Sequence, residues 1–291
     1  MKAKLFFSVV AMLSLVSCTE DIDIELKDEV SPVEKVVFSA FMENYAESRT
    51  GISDYPTFGY YSLFWTRGDA ISIYDGRNTA VFTTENDKSS FAEFVLSEGQ
   101  INNEASEYKA FYPSNITVYN QKLPETQHYV KDNVENFPMY AYSQSKDLKF
   151  KNLCGIIQLS LKNGADSPIG VSSIGLSSVN SGMSGEFTIG IDGAAEVEGT
   201  GGVVLVCEKT VSLSEFTETD FNIIVPQGEY DPLRVDLHLA DGKVMQLAST
   251  DKVSVKRSGM TRIELTLSES SYESSLEMIP VTEADVDFTD R

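Results

Sequence analysis

The stretch "PLRVDLHLADGKVMQLA", residues 232–248, constrains the fold more than any other. Leu233, Val235, Leu237 and Leu239 alternate with Arg234, Asp236 and His238. A change of character at every second position matches the period of a strand and not that of a helix. Asp241-Gly242 then supplies a hairpin turn. The pattern recurs along the chain. "VVFSAFM" places Val36, Phe38, Ala40 and Met42 on one face, and "AISIY" and "AVFTT" flank the turn "DGRN". "CGIIQLSLKN" sets Ile157, Leu159 and Leu161 against Gln158, Ser160 and Lys162. Few segments read as helix. Short alternating runs broken by Gly, Pro, Asn and Asp predict an all-β fold built as a sandwich or barrel.

A length of 291 residues suits one or two domains. The text changes character near "SQSKDLKF". Before it the chain is rich in Tyr and Phe, and after it the strands are more aliphatic and glycines denser. The folded chain therefore divides into residues 33–146 and 147–268. A tail, 269–291, starts as a polar linker. It ends with Ala284, Val286 and Phe288 alternating with Asp285, Asp287 and Thr289, which is strand-like.

The N-terminus carries a different signal. Lys2 and Lys4 precede an apolar run from Leu5 to Val16, too short to span a bilayer. Residues 1–17 are expected to be a signal peptide. Leu15-Val16-Ser17-Cys18 resembles a bacterial lipobox, which makes Cys18 the expected lipidation site and residues 18–32 an acidic tether. Acyl chains on Cys18 would hold the protein to a membrane, at about 0.8 kcal/mol per buried CH2. Thr19 and the acids of "TEDIDIELKDE" point to the outer membrane and its exposed face.

The net charge of −21 repels phosphate backbones and excludes nucleic acid as a partner class. Motifs for catalysis are missing. The two histidines, His128 and His238, have no partner motif around them, and no nucleophile elbow, zinc signature or phosphate loop occurs. The expectation is a chain that is not an enzyme and uses no cofactor or metal. Cys154 and Cys207 lie in apolar, strand-like text and read as buried thiols, with a disulfide as the alternative.

In order, the chain carries "VVFSA", "FWTRGDAISIY", "YKAFYPSN", "LPETQHY", "FPMYAYS", "LKFKNLCGIIQLSLKN" and "FNIIVPQGEY". From about Cys18 to Leu267 this order resembles the fimbrillin family, the fimbrial subunit lipoproteins of Gram-negative anaerobic bacteria. The resemblance implies two tandem transthyretin-like β-sandwich domains and a location at the outer membrane and in fimbriae. It also implies assembly with other fimbrial subunits. In polymerising members a trypsin-like protease removes the first strand, and a neighbour's strand fills the groove by β-augmentation. The matching cut here is Arg49-Thr50, after the first strand. Lys35 precedes that strand and would open no groove. Ala284, Val286 and Phe288 are the candidate donor strand, unless the tail folds back on its own domain.

A second functional reading is a surface lipoprotein that binds glycan or a host protein. Tyr55, Phe58, Tyr60, Tyr61, Phe64 and Trp65 crowd one region and could stack on sugars, or could form core. Arg67-Gly68-Asp69 is a tripeptide offered by many integrin ligands. Bracketed by Trp65 and Ile71, it reads instead as a tight turn against a core.

Overall fold

Alternation becomes strands almost everywhere that it was legible. The computed structural model describes residues 35–43, 63–268, 277–279 and 285–287. The first strands are β1 (Val37–Phe41), β2 (Ala70–Tyr74), β3 (Thr79–Thr84), β4 (Phe91–Glu98), β5 (Tyr108–Tyr112), β6 (Lys122–Leu123), β7 (Thr126–His128), β8 (Met139–Ser143), β9 (Asp147–Lys149) and β10 (Lys151–Asn152). Then come β11 (Gly155–Asn163), β12 (Gly170–Ser177), β13 (Gly185–Ile189), β14 (Ala195–Val197), β15 (Val203–Ser212), β16 (Thr219–Val225) and β17 (Gly228–Tyr230). They are followed by β18 (Arg234–Leu239), β19 (Val244–Ser249), β20 (Val253–Val255) and β21 (Gly259–Leu267). Two short tail strands, β22 (Glu277–Ile279) and β23 (Asp285–Asp287), complete the set. The fold is all-β.

An eight-stranded sheet runs β10-β8-β5-β2-β3-β4-β1-β9. Its side chains build a first core that includes Phe38, Phe82, Phe94, Tyr108 and Phe111. A four-stranded sheet, β16-β11-β21-β23, and a six-stranded sheet, β22-β19-β18-β12-β15-β7, flank a second core. Ile157, Leu159 and Ile263 enter it from the first of these, and Ile174, Leu237 and Leu247 from the second. The clean alternation of 233–239 is realised as read: Leu233, Val235, Leu237 and Leu239 are buried, while Arg234 and His238 are exposed. Gly242 takes φ +86° in the turn, a left-handed conformation that favours glycine.

β11 departs from simple in-and-out alternation. Gln158 and Ser160 are as buried as the aliphatic face. The strand is central, between antiparallel β16 and parallel β21, so its polar side chains meet polar neighbours. Gln158 Nε2 donates to Asn222 Oδ1 at 2.9 Å, and Ser160 Oγ to Asp220 Oδ1 at 2.6 Å. On the same face Ile156 sits in register with Ile224 and Met260. Those three join the first core. The back of the four-stranded sheet therefore supplies an apolar row beneath the first core, then polar rows beyond it.

Leu148, Phe150, Leu153 and Cys154 also pack in the first core, and β9 pairs parallel with β1. The chain just after residue 146 thus contributes to the first sheet before crossing to the second core. Tail strands cover open edges: β22 pairs with β19, and β23 with β21. Covering an edge removes a template for unwanted pairing.

Candidate functional site

The first strand is inserted, not appended. β1 lies between β4, antiparallel with Val37 opposite Val95 and Phe41 opposite Phe91, and β9, parallel with Ser39 opposite Asp147. The "VVFSAFM" alternation aims Phe38, Ala40 and Met42 into the core, where all three are buried. The Phe38 ring meets Phe82 at 5.0 Å and Tyr108 at 4.8 Å, both edge-on. Burying a phenylalanine stabilises by about 1.5–3 kcal/mol, and such ring pairs add to it. Withdrawing β1 would bare two strand edges and a row of apolar pockets.

A polar latch closes the end of that strand. Glu43 Oε2 accepts from Arg257 Nη1 at 2.7 Å, Asn152 N at 3.0 Å and Ser258 Oγ at 3.1 Å. Arg257 Nη1 also donates to Asn152 O at 3.1 Å, and Asn152 Nδ2 to Ser258 Oγ at 3.0 Å. Both charged side chains are largely shielded, at 16% and 18% exposure, so the pair is screened less than a surface ion pair. Ser258 adopts φ 58°, in the left-handed region, and its N–H reaches Cys154 O at 2.9 Å. No periodicity in the sequence announced this cluster. It joins residues more than two hundred positions apart, and neither Glu43 nor Arg257 stands in a motif.

Of the residues expected to act, Val286 lies in β23, whose neighbour across the ladder is Met260 of β21. Cys18, Arg49, Thr50, Ala284 and Phe288 lie outside the described residues, as do Tyr55, Phe58, Tyr60 and Tyr61. Trp65 is core. It is fully buried, with rings of Phe94, Tyr112 and Phe150 packed edge-on at 4.9, 5.3 and 5.3 Å.

The Arg67-Gly68-Asp69 turn holds its carboxylate inward. Asp69 Oδ2 accepts from Thr66 N at 2.7 Å, and Oδ1 from the Tyr112 hydroxyl at 3.0 Å. Gly68 takes φ +90° and its N–H donates to Thr84 O at 2.9 Å. Burial pushes the Asp69 carboxyl above its ordinary range, opposed by the bonds from Thr66 and Tyr112. Both oxygens are committed, so the tripeptide is a structural turn.

Cys154 and Cys207 are free thiols in different cores. Burial raises both, Cys207 to about 11, which leaves them inert. Among the described residues, no group of three His, Cys, Asp or Glu side chains is placed to hold a metal ion.

The chain matches no family model and no curated protein. Among solved structures, a protein of Bacteroides uniformis provisionally assigned to cell adhesion is 15% identical with a TM-score of 0.49, covering 88% of this chain and 98% of that one. Another of the same provisional assignment, from Bacteroides ovatus, is 13% identical with a TM-score of 0.47, covering 77% and 88%. A tip fimbrial protein of Porphyromonas gingivalis with a C-terminal truncation is 9% identical with a TM-score of 0.39, covering 87% and 99%. Identities this low say nothing of any residue's role.

Proposed function

We propose that the chain is a structural subunit of surface fimbriae, a stalk pilin or an accessory anchor or tip protein, assembled by β-strand exchange and serving adhesion. The observation that carries this reading is the place of β1. It is a single short strand inserted between two others, with a large aromatic anchor in the core. The sequence puts a basic residue, Arg49, shortly after it. Cutting at Arg49-Thr50 would free one strand and leave most of the fold's pairings in place. The vacated groove would then take a strand from another subunit through main-chain hydrogen bonds and alternate side chains.

In this reading the precursor travels as a lipoprotein anchored through Cys18 to the outer membrane, and a surface protease matures it. The folded chain is two tandem transthyretin-like sandwiches, 33–146 and 147–268, with β9 and β10 just after residue 146 completing the first sheet. The tail with Ala284, Val286 and Phe288 is the donor, and its β23 pairs with β21 until assembly. The fimbrillin resemblance of the sequence supports each of these steps. The deciding experiment is mass spectrometry of the N-terminus of protein taken from the cell surface. A start at Thr50 supports polymerisation by strand exchange. Lipidated Cys18 on every mature copy contradicts it and leaves the anchor role.

A further inference from the structure

A cleft of about 710 Å³ opens between residues 113–138, which carry β6, β7 and the loops around them, and the back of the four-stranded sheet, at Asn222 and Ile224. We propose that it binds a neutral oligosaccharide. Its size falls in the range of small-ligand sites, about 300–1,000 Å³.

The wall chemistry selects the ligand. Asn115, Asn120, Gln127, Asn136 and Asn222 all line the cleft; the Gln127 amide is bonded to the Ile224 backbone and Asn222 Oδ1 to Gln158, so Asn115 and Asn136 are the amides that can turn to a ligand. A primary amide offers donors and an acceptor side by side. Sugar hydroxyls are also donors and acceptors, so adjacent hydroxyl pairs complement amides. Among the described residues, the side chains of Asn115 and Asn136 have no hydrogen-bond partner of their own. Apolar groups such as Ile116, Pro124 and Ile224 line the same cleft, suited to the C–H faces of a sugar ring.

The wall is also held in shape before any ligand arrives. Thr117 and Asn120 exchange backbone bonds at 3.1 Å each way, and Asn120 Nδ2 donates to Asn115 O at 3.0 Å. Beside Asn120, Tyr119 is 75% exposed, with its ring edge-on to Tyr74 at 5.7 Å. It does not line the cleft itself, and offers a stacking face on the same loop outside it. A wall ordered in advance lowers the cost of binding.

Two other ligand classes fit less well. An extended peptide would look for free backbone on β16. At Ile224 both groups are already taken by the Gln127 side chain, N–H to Oε1 at 2.9 Å and Nε2 to O at 2.7 Å. An anionic sugar would meet unfavourable charge. Lys122 is paired with Glu125 at 3.2 Å, Glu135 also lines the cleft, and the chain as a whole carries −21. The proposal does not depend on polymerisation, since a subunit at any place in a fibre could carry the cleft.

Isothermal titration calorimetry on the full chain after its signal peptide tests it. N-acetyllactosamine and chitotriose serve as neutral probes, sialyllactose as the anionic one, and a peptide of residues 281–291 as the strand. Saturable binding of a neutral probe is expected, with sialyllactose weaker. Asn115→Ala and Asn136→Gly should each weaken the neutral probe about tenfold, the loss expected for one hydrogen-bonding amide. Both positions are exposed, and glycine keeps the left-handed backbone of residue 136 (φ 55°), so folding is not at stake. Silence of both neutral probes at millimolar concentration overturns the proposal. So does binding that both variants leave unchanged. Binding of the 281–291 peptide that is lost in the two variants also overturns it, by assigning the cleft to a strand.

Discussion

The two cores reach the same degree of burial by different means. The first is aromatic, with Phe38, Trp65, Phe82, Phe94, Tyr108 and Phe150 among its members. The second is aliphatic, and Phe221 and Tyr230 are the buried aromatics among its described residues. Large rings concentrate contact energy in a few side chains, whereas Ile, Leu and Val spread it across every strand. In the first core one inserted strand is held by Phe38, Ala40 and Met42 and by the latch at its end. In the second no strand dominates, and short tail strands cover the edges.

The largest expected effects come from truncating one anchor in each core. Phe38→Ala should cost about 4 kcal/mol, and Leu237→Ala about 3 kcal/mol. The sole tryptophan, Trp65, sits in the first core, so its fluorescence reports on that core alone. In urea unfolding Phe38→Ala should move the fluorescence midpoint most. Leu237→Ala should move the far-ultraviolet circular dichroism midpoint more than the fluorescence one. Equal shifts of both signals in both variants would merge the cores into one cooperative unit and break the comparison.

The latch comes next. Arg257→Met leaves Glu43 shielded and unpaired, and should cost about 2 kcal/mol in the same assay. Combining it with Glu43→Leu should cost less than the sum of the two single changes, because the second removes the stranded charge. Strict additivity would show that the latch contributes nothing as a pair.

The smallest effect is a pH dependence confined to the first half. Burial works to raise the Asp75 carboxyl. Backbone N–H groups of Asn78, Asn102 and Arg77 outweigh it and hold the carboxyl below its ordinary value of 3.8. A depressed folded value means that the charge stabilises the fold above the ordinary carboxylate range. That stabilisation fades as the pH falls through the folded value. Asp75→Asn should therefore be less stable than the parent by about 1 kcal/mol at neutral pH. The gap in urea midpoint should narrow as the pH falls below the ordinary carboxylate value of 3.8. A gap that is constant with pH would assign the loss to geometry instead of charge.

Much of the fold was legible because strands write a period of two into the text. β1, the β2–β3 hairpin with its "DGRN" turn and the β18–β19 hairpin with Asp241-Gly242 follow that period directly. The second face of β11 did not, because alternation marks which residues share a face and not what covers it. Gln158 and Ser160 look like solvent residues until Asn222 and Asp220 arrive from β16. The latch and the cleft were illegible for a related reason. Glu43, Asn152 and Arg257 meet only through the crossing of distant strands. The cleft draws on loops between Pro113 and Pro138, where no periodicity exists to read. Within the tripeptide, the tight turn was foreseeable from Trp65 and Ile71, but the bond from Tyr112 to Asp69 was not.

The central claim is that the place of β1 is where another subunit's strand enters. Negative-stain electron microscopy of the purified chain after trypsin treatment tests it most directly, with Arg49→Ala as the control that cannot be cut at that bond. The account predicts fibres from the parent chain, with subunits beginning at Thr50, and single particles from the control. Single particles from a parent chain that has been cut at Arg49 would contradict it.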